Sequence, residues 1–366
     1  MSGVRAYAPG RVNLIGEHTD YNGGFALPIA LDRGTHVDFD PDPTASSLKV
    51  KTMSDAVDAG SEVTISLDTV PGDVGGWGAY VAGCVWALRR RGVDVPGGAM
   101  VVTSAVPVGA GLSSSAALEC AVVLALSAAA GGPDLDRRTV AAVAHDAENR
   151  YVGADTGLLD QLSILHGAVD TAMLIDFRSM QVTPVPIELG DATVMVVDSH
   201  SPHSHAAGEY GARRRSCEAA AAALGVPELR SAAGDDWRRV DDPVDRRRAR
   251  HVLTENSRVL DTAAALTAGD LDGVGRLMVE SHASMRDDFE ITTSAIDEIV
   301  RTALGAGAHG ARMTGGGFGG SVVVLASAEA AAQIEADLPE QVERSGHPRP
   351  TVARVRAGAG ANITTR

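Results

Sequence analysis

An α+β fold in two domains is what this sequence predicts, and three observations predict it. At 366 residues the chain exceeds the roughly 100–200 residues of one ordinary domain. Strand-like runs and helix-period segments are mixed without the strict alternation that a doubly wound sheet requires. Hydrophobic residues at 45% against 22% charged supply a substantial core.

Residues 1–40 read as short strands joined by turns, with Tyr21-Asn22-Gly23-Gly24 the clearest turn. Residues 40–47, rich in Asp and Pro, form a loop. Between Gly76 and Arg91 the set Trp77, Tyr80, Val81, Cys84, Val85 and Leu88 recurs at helical period. A strand over 99–104 enters a glycine loop, a long Ala/Leu/Val helix runs to about Ala130, and another covers 137–151. Short buried strands are expected at 173–176 and 192–198, with the domain boundary near Gly190. That gives domains 1–190 and 191–366. In the second, one helix carries Arg213, Arg214 and Arg215, and the charge-dense segment 233–250 reads as a solvated, mobile helical face. Further helices lead to a second glycine loop, a strand from Ser321, a helix over 328–342 and a last strand over 351–356.

Charge narrows the function. The formal net charge is −15 and the pI about 5.1, so the overall field does not favour nucleic acid or an anionic membrane as partner. A local pocket can still bind a small anion. Lys49 and Lys51 are the only lysines, and neither follows a glycine loop, so a Walker-A phosphate loop is excluded. Phosphate must be handled by arginine, backbone N–H groups and metal. The longest apolar stretch, 120–130, falls well short of the roughly 20 residues that span a bilayer. No apolar run precedes Pro9-Gly10-Arg11, so no secretory signal is expected. Cys84, Cys120 and Cys217 have no metal-like spacing and read as free thiols in a reducing cytoplasm.

Three segments carry chemistry. Gly109-Ala-Gly111-Leu112-Ser113-Ser114-Ser115 lies between a strand and a helix, where loop N–H groups and the helix start make an anion site without lysine. The same residues equally suit an ordinary glycine turn with a serine cap. Thr314-Gly-Gly-Gly-Phe-Gly-Gly is denser in glycine than a hairpin needs, which points to close backbone approach. The third, Arg11-Val-Asn-Leu-Ile-Gly16-Glu17-His18-Thr-Asp20, gathers four ionisable side chains suited to pairing several hydroxyl groups. A polar surface turn is its plainer reading.

With all three in view, Gly10-Arg-Val-Asn-Leu-Ile-Gly-Glu-His-Thr-Asp-Tyr21 resembles the hallmark motif of the galactokinase family. Pro107-Val-Gly-Ala-Gly-Leu-Ser-Ser-Ser-Ala-Ala and Arg312-Met-Thr-Gly-Gly-Gly-Phe-Gly-Gly resemble the second and third motifs of its superfamily, the galactokinase, homoserine kinase, mevalonate kinase and phosphomevalonate kinase (GHMP) group. They occur in family order and span nearly the whole chain. Gly157-Leu-Leu-Asp160-Gln161 and Glu209-Tyr210-Gly-Ala-Arg also match family stretches. Two departures stand out: Gly316 where the family often has alanine, and Ile291-Thr-Thr where many relatives have a Cys-Pro pair.

The resemblance implies a GHMP-kinase-like fold of mixed sheets and helices, with a ferredoxin-like C-terminal domain and the active site in the cleft between domains. It implies transfer of the ATP γ-phosphoryl group to the anomeric hydroxyl of galactose. Asp160 and Arg11 would be catalytic. Glu17, His18, Asp20, Gly157 and Tyr210 would bind sugar, Gly109, Gly111, Leu112, Ser113 and Ser114 would cradle the triphosphate, and Ser115 with Glu148 would hold Mg2+. Trp77 is expected near adenine, or else in the core. An N-acetylgalactosamine or arabinose kinase is the alternative within the superfamily. A non-catalytic galactose sensor is disfavoured, because Ser113-Ser-Ser-Ala-Ala117 and Asp160 are intact. A cytoplasmic monomer with no obligate protein partner completes the expectation.

Overall fold

The computed structural model describes residues 3–54, 59–131, 135–201 and 206–365. In chain order the strands are β1 (Val4–Asn13), β2 (Phe25–Ala26), β3 (Pro28–Asp42), β4 (Ser47–Thr52), β5 (Glu62–Ser66), β6 (Gly97–Ser104), β7 (Thr171–Asp176), β8 (Gln181–Pro186), β9 (Thr193–Asp198), β10 (Gly310–Thr314), β11 (Ser321–Ala326), β12 (Thr351–Val355) and β13 (Asn362–Thr365). The helices are α1 (Gly78–Arg90), α2 (Ser114–Ala129), α3 (Arg137–Asp146), α4 (Leu159–His166), α5 (Ala206–Leu224), α6 (Pro243–Ala268), α7 (Leu271–Ser284), α8 (Ser294–Gly305) and α9 (Ala328–Arg344). Wider π-helical turns extend α3 over Ala147–Val152 and α7 over Met285–Phe289. Strands and helices are thus mixed as expected for α+β.

The chain forms two compact units, and neither is continuous in sequence. The first comprises residues 1–11, 30–168 and 358–366, the second 12–29 and 169–357. The single boundary expected near Gly190 falls inside the second unit. Long-range strand pairing is the reason: β13 returns to pair antiparallel with β1, Val4 opposite Thr365, and β2 pairs with β7. Local periodicity carries no trace of either pairing. The expectation of short strands before residue 40 is also corrected, since β1 has 10 residues and β3 has 15. Gly34 allows that length, because a Cβ there would meet the Ala8 carbonyl at 2.3 Å.

In the first unit the sheet order is β13-β1-β3-β6-β4-β5, with α1 to α4 supplying the remaining core. Helix α2 is apolar on nearly every face and is correspondingly buried. Gly83 lets α1 approach the π turn, where an added Cβ would lie 3.0 Å from the Ala147 Cβ.

The second unit holds a sheet of order β10-β11-β9-β12 and a smaller one of order β2-β7-β8. Strands β10 and β11 are buried at every residue. Helix α6 starts as its sequence dictates: Asp242 accepts from Val244 and Asp245 N–H, Pro243 occupies the first turn, and Gly269 ends the helix in a left-handed conformation. The segment 233–250 is not the uniformly solvated face expected. Arg248 is buried, donating to the Asp288 carbonyl and pairing with Glu290, because it shares the inward face of α6 with Val252 and Glu255. The stretch lacking the Cys-Pro pair is well ordered locally: the Ile291 carbonyl accepts from Phe318 N–H, and Thr293 caps α8 through Ile296 N–H.

Helix α7 lies directly on β10 through two facing glycines. A Cβ on Gly275 would meet the His309 carbonyl at 2.0 Å, and one on Gly310 would meet the Gly275 Cα at 2.5 Å. Alanine is favoured over glycine by about 1 kcal/mol inside a helix. Here the backbone collision is the larger effect, costing about 1–3 kcal/mol as an overpacked core. Gly275→Ala is therefore expected to lower the urea midpoint, and a midpoint equal to or above that of the natural sequence would refute the close-contact account.

Candidate active site

In the first unit the chemistry gathers at the start of α4. Leu158 occupies the cap position without a side-chain cap bond, and Asp160 sits in the first turn, so its carboxylate is not spent on capping. Arg11, buried at the end of β1, donates Nε to Asp160 Oδ1 at 2.8 Å and places Nη2 2.7 Å from the same oxygen. Its Nη1 donates to the Gly111 carbonyl at 2.6 Å, and its backbone N–H to the Leu112 carbonyl at 3.1 Å. Ser113 Oγ donates to Asp160 Oδ2. Arginine, aspartate and phosphate-type loop are therefore one hydrogen-bonded assembly. Gly109 and Gly111 take positive φ angles of 80° and 71°, and nothing lies within 4 Å of where a Gly109 Cβ would be. Ser114 opens α2, whose first-turn N–H groups lack helical acceptors.

Glu148 lies in the π turn, buried, with both oxygens in use. Oε1 accepts from Ser115 Oγ at 3.0 Å; Oε2 accepts from Thr156 Oγ1 and Gln161 Nε2, each at 3.0 Å. Burial, then the nearby Asp160 charge, pushes its carboxyl above the usual range. A divalent cation would reverse that trend. Magnesium takes hard oxygens and few protein ligands, and a hydroxyl and a carboxylate 3.0 Å apart fit it. Among the described residues no cluster of three or more His, Cys, Asp or Glu forms a metal cage. Loop 153–158, which includes the half-buried Gly157, is pinned by Asn149, whose Oδ1 accepts Thr156 N–H at 3.0 Å.

One partner escaped the sequence reading. Glu119, one turn beyond Ser115 on α2, is wholly buried, and neither of its oxygens has a hydrogen-bond partner; nor has Gln161 Oε1. Burial, then the Glu148 charge, holds the Glu119 carboxyl well above its ordinary range, with Gln161 in hydrogen-bonding reach. The available signal was a lone glutamate within Ala116-Ala-Leu-Glu119-Cys-Ala-Val.

Beside Ser114 and Ser115 the first unit has an apolar hollow lined by Trp77, Tyr80, Val102, Val108 and Leu118. Trp77 immediately precedes α1 and is half-buried in this wall.

In the second unit, Glu17, His18 and Tyr210 come together, and Asp20 opens the adjacent single turn Asp20–Asn22. Glu17 is buried and pairs with Arg312; its Oε1 accepts from Gly315 N–H at 3.0 Å and Thr314 Oγ1 at 3.3 Å. Arg312 is fully buried, donating also to the Leu14 carbonyl at 3.2 Å, with Glu255 3.8 Å away. Glu255 accepts Gly16 N–H at 3.1 Å and pairs with Arg258 at 2.7 Å. Two arginines and two glutamates thus form a neutral buried chain. Burial opposes ionisation of Glu255, but Arg258, His251 and Arg312 bring it down to about 2.

His18 is neutral: burial, reinforced by His251, lowers it to about 3. Since a carbonyl only accepts, Nε2–H donates to the Gly316 carbonyl at 3.1 Å and Nδ1 accepts from Tyr21 Oη at 2.7 Å. The Tyr210 ring lies 4.8 Å from the His18 ring, centroid to centroid, and its edge is 3.5 Å from where a Gly316 Cβ would be. Glycine is required in the third motif at Gly317, at φ 90°, where a Cβ would meet the Ile291 carbonyl at 2.8 Å; at Gly316 a Cβ would make only ordinary contact with Tyr210. Arg312 and Glu255 went unnoticed in the sequence because Arg312 meets Glu17 from 295 positions away and Glu255 meets Gly16 from 239.

Buried neutral histidines give the pH dependence a sign. His251, lowered to about 4 by burial, donates Nε2–H to the Glu17 carbonyl at 3.2 Å. Below the ordinary histidine value of 6.5 the unfolded chain binds protons that folded His18 and His251 refuse, so stability rises with pH through that window. Glu255 adds a second loss between about 4.5 and 2. Thermal melts from pH 7 to 4.5 are expected to show a falling Tm with proton uptake on unfolding. A Tm that holds or rises towards pH 4.5 would contradict the neutral assignment.

Comparison with known proteins meets this geometry at every motif. A family model for the galactokinase galactose-binding signature matches residues 2–41, one for the GHMP kinases N terminal domain matches 79–168, and one for the GHMP kinases C terminal domain matches 262–344. A galactokinase of Mycobacterium tuberculosis is 53% identical over 359 residues, 97% of each chain. One of Streptomyces coelicolor is 41% identical over 97% of this chain and 92% of its own. Among solved structures, Lactococcus lactis galactokinase complexed with galactose matches with a TM-score of 0.92 and 29% identity, over 98% of this chain and 95% of that one. Methanococcus jannaschii mevalonate kinase, at 17% identity and a TM-score of 0.68, shares the fold. Motifs, domains and full-length relatives agree: the chain belongs to the galactokinase family and is an ATP-dependent sugar kinase with the GHMP kinase fold.

Proposed function

We propose a residue-level account of the family reaction, transfer of the ATP γ-phosphoryl group to the anomeric hydroxyl of D-galactose, giving galactose 1-phosphate and ADP. Its single strongest support is the Asp160 carboxylate held by Arg11 in the first turn of α4. Phosphoryl transfer passes through a loose transition state, so positioning and charge neutralisation do most of the work. As the anomeric oxygen bonds to the γ-phosphorus and the bond to the β–γ bridging oxygen breaks, Asp160 takes the hydroxyl proton late. Arg11 holds the Asp160 carboxylate in place and counters charge on the moving group.

Gly109, Gly111, Leu112, Ser113 and Ser114 are assigned to the triphosphate, supported by the positive φ of the two glycines and the start of α2. Trp77 is assigned to adenine, supported by the apolar hollow it shares with Tyr80. Ser115 and Glu148 are assigned to Mg2+, which when bound would neutralise triphosphate charge. Glu17, His18, Asp20, Gly157 and Tyr210 are assigned to the sugar. Asp20 is the first choice for the axial C4 hydroxyl: a carboxylate left unpaired by the wrong epimer penalises it by up to about 10⁴-fold. Because Glu17 and His18 already have internal partners, they also hold the sugar loop in shape. A monomer in the cytoplasm completes the proposal, consistent with three buried, unlinked cysteines.

A coupled ADP-release assay with MgATP across galactose, glucose, N-acetylgalactosamine and arabinose tests this reading. Galactose is expected to give the highest kcat/KM, with glucose lower by about 10³-fold or more. Preference for N-acetylgalactosamine or arabinose would transfer the assignment to those sugars. Galactose binding without turnover on any sugar would revive a sensor.

A further inference from the structure

Ser113 is the one non-glycine residue in its loop with a left-handed backbone, at φ 59° and ψ 48°. L-residues rarely adopt that conformation, whereas glycine does so freely, as Gly109 and Gly111 do four and two positions earlier. Ser113 also stands at the cap position of α2. Serine is favoured there because its oxygen accepts a first-turn N–H, yet no such bond forms. Both the backbone strain and the missing cap have one destination. The hydroxyl is turned away from the helix and donates to Asp160 Oδ2.

An inventory of Asp160 shows what this does. A carboxylate offers about four lone-pair sites. On Oδ1, Arg11 Nε donates at 2.8 Å and Nη2 stands 2.7 Å away as an ion-pair contact. Ser113 fills one on Oδ2, leaving one acceptor site for an incoming hydroxyl. Arg11 alone grips a single oxygen, so the second anchor fixes the carboxylate against rotation. Both anchors are tied to the same loop, because Arg11 Nη1 donates to the Gly111 carbonyl. Ser113 itself is buried.

We infer that Ser113 is a positioning residue for the base, its hydroxyl orienting Asp160 so that the remaining Oδ2 lone pair meets the acceptor hydroxyl. Phosphate contact is then not the main task of its side chain. The inference rests on the assignment of Asp160 as base.

The test is steady-state kinetics with MgATP and galactose on Ser113→Gly and Ser113→Ala, each in the natural and the Asp160→Asn background. Both single variants are expected to lose about 10- to 100-fold in kcat, the scale of a misplaced catalytic group. KM for ATP and galactose should stay within about 3-fold, and Ser113→Gly should melt no lower than the natural protein, since glycine relieves the backbone. In the Asp160→Asn background Ser113→Gly should change kcat by less than about 2-fold, because a residue acting through another has nothing left to act on. A raised KM for ATP with kcat kept would make Ser113 a phosphate ligand and overturn the inference. So would equal kcat losses in both backgrounds, or no loss at all. Activity surviving in Asp160→Asn alone would overturn the base assignment, and this inference with it.

Discussion

The proposed chemistry depends on one constraint: a carboxylate must be held in one direction while partly withdrawn from water. The Arg11–Asp160 pair meets it with a fork that grips one oxygen and reaches the Gly111 carbonyl with its third donor. A lysine could supply charge but not three fixed directions. The pair joins β1, the glycine loop and α4, the three parts of the first unit that the reaction needs. Its position in the first turn of α4 adds the favourable end of the helix dipole to the arginine charge.

The second unit applies the same logic to shape. Buried Arg312, Glu17 and Glu255 and half-buried Arg258 form a neutral chain that closes on backbone groups of the first and third motifs. Such a chain is costly to desolvate, and removing one member leaves an unpaired buried charge at about 3–5 kcal/mol. What it secures is geometry: the loop 16–23 has one arrangement in which Gly16, Glu17 and His18 all find partners. Neutral His18 belongs to that arrangement, since a charged ring could not accept from Tyr21.

Much of this was legible in sequence. The three motifs, the arginine-only basic chemistry and the mixed element order led to the right family and fold; the structure pairs Arg11 with Asp160 and Ser115 with Glu148. What stayed hidden depends on distance along the chain. The pairing of β13 with β1, which makes the units discontinuous, links residues about 360 apart. Arg312 reads locally as one charge in a buried strand, and only the fold sets it on Glu17. The burial of Glu119 beside Glu148 and Gln161 is set by the fold, and composition does not encode it. Charge density misled at 233–250, because one inward position, Arg248, found backbone and carboxylate partners in the interior.

The central claim is that Asp160 does chemistry rather than binding. It is tested most directly by titrating galactose into Asp160→Asn by calorimetry and measuring ADP release on the same preparation. The account predicts galactose affinity near that of the natural protein, with kcat lower by orders of magnitude. Turnover within a few-fold of natural, with galactose still bound, would contradict it.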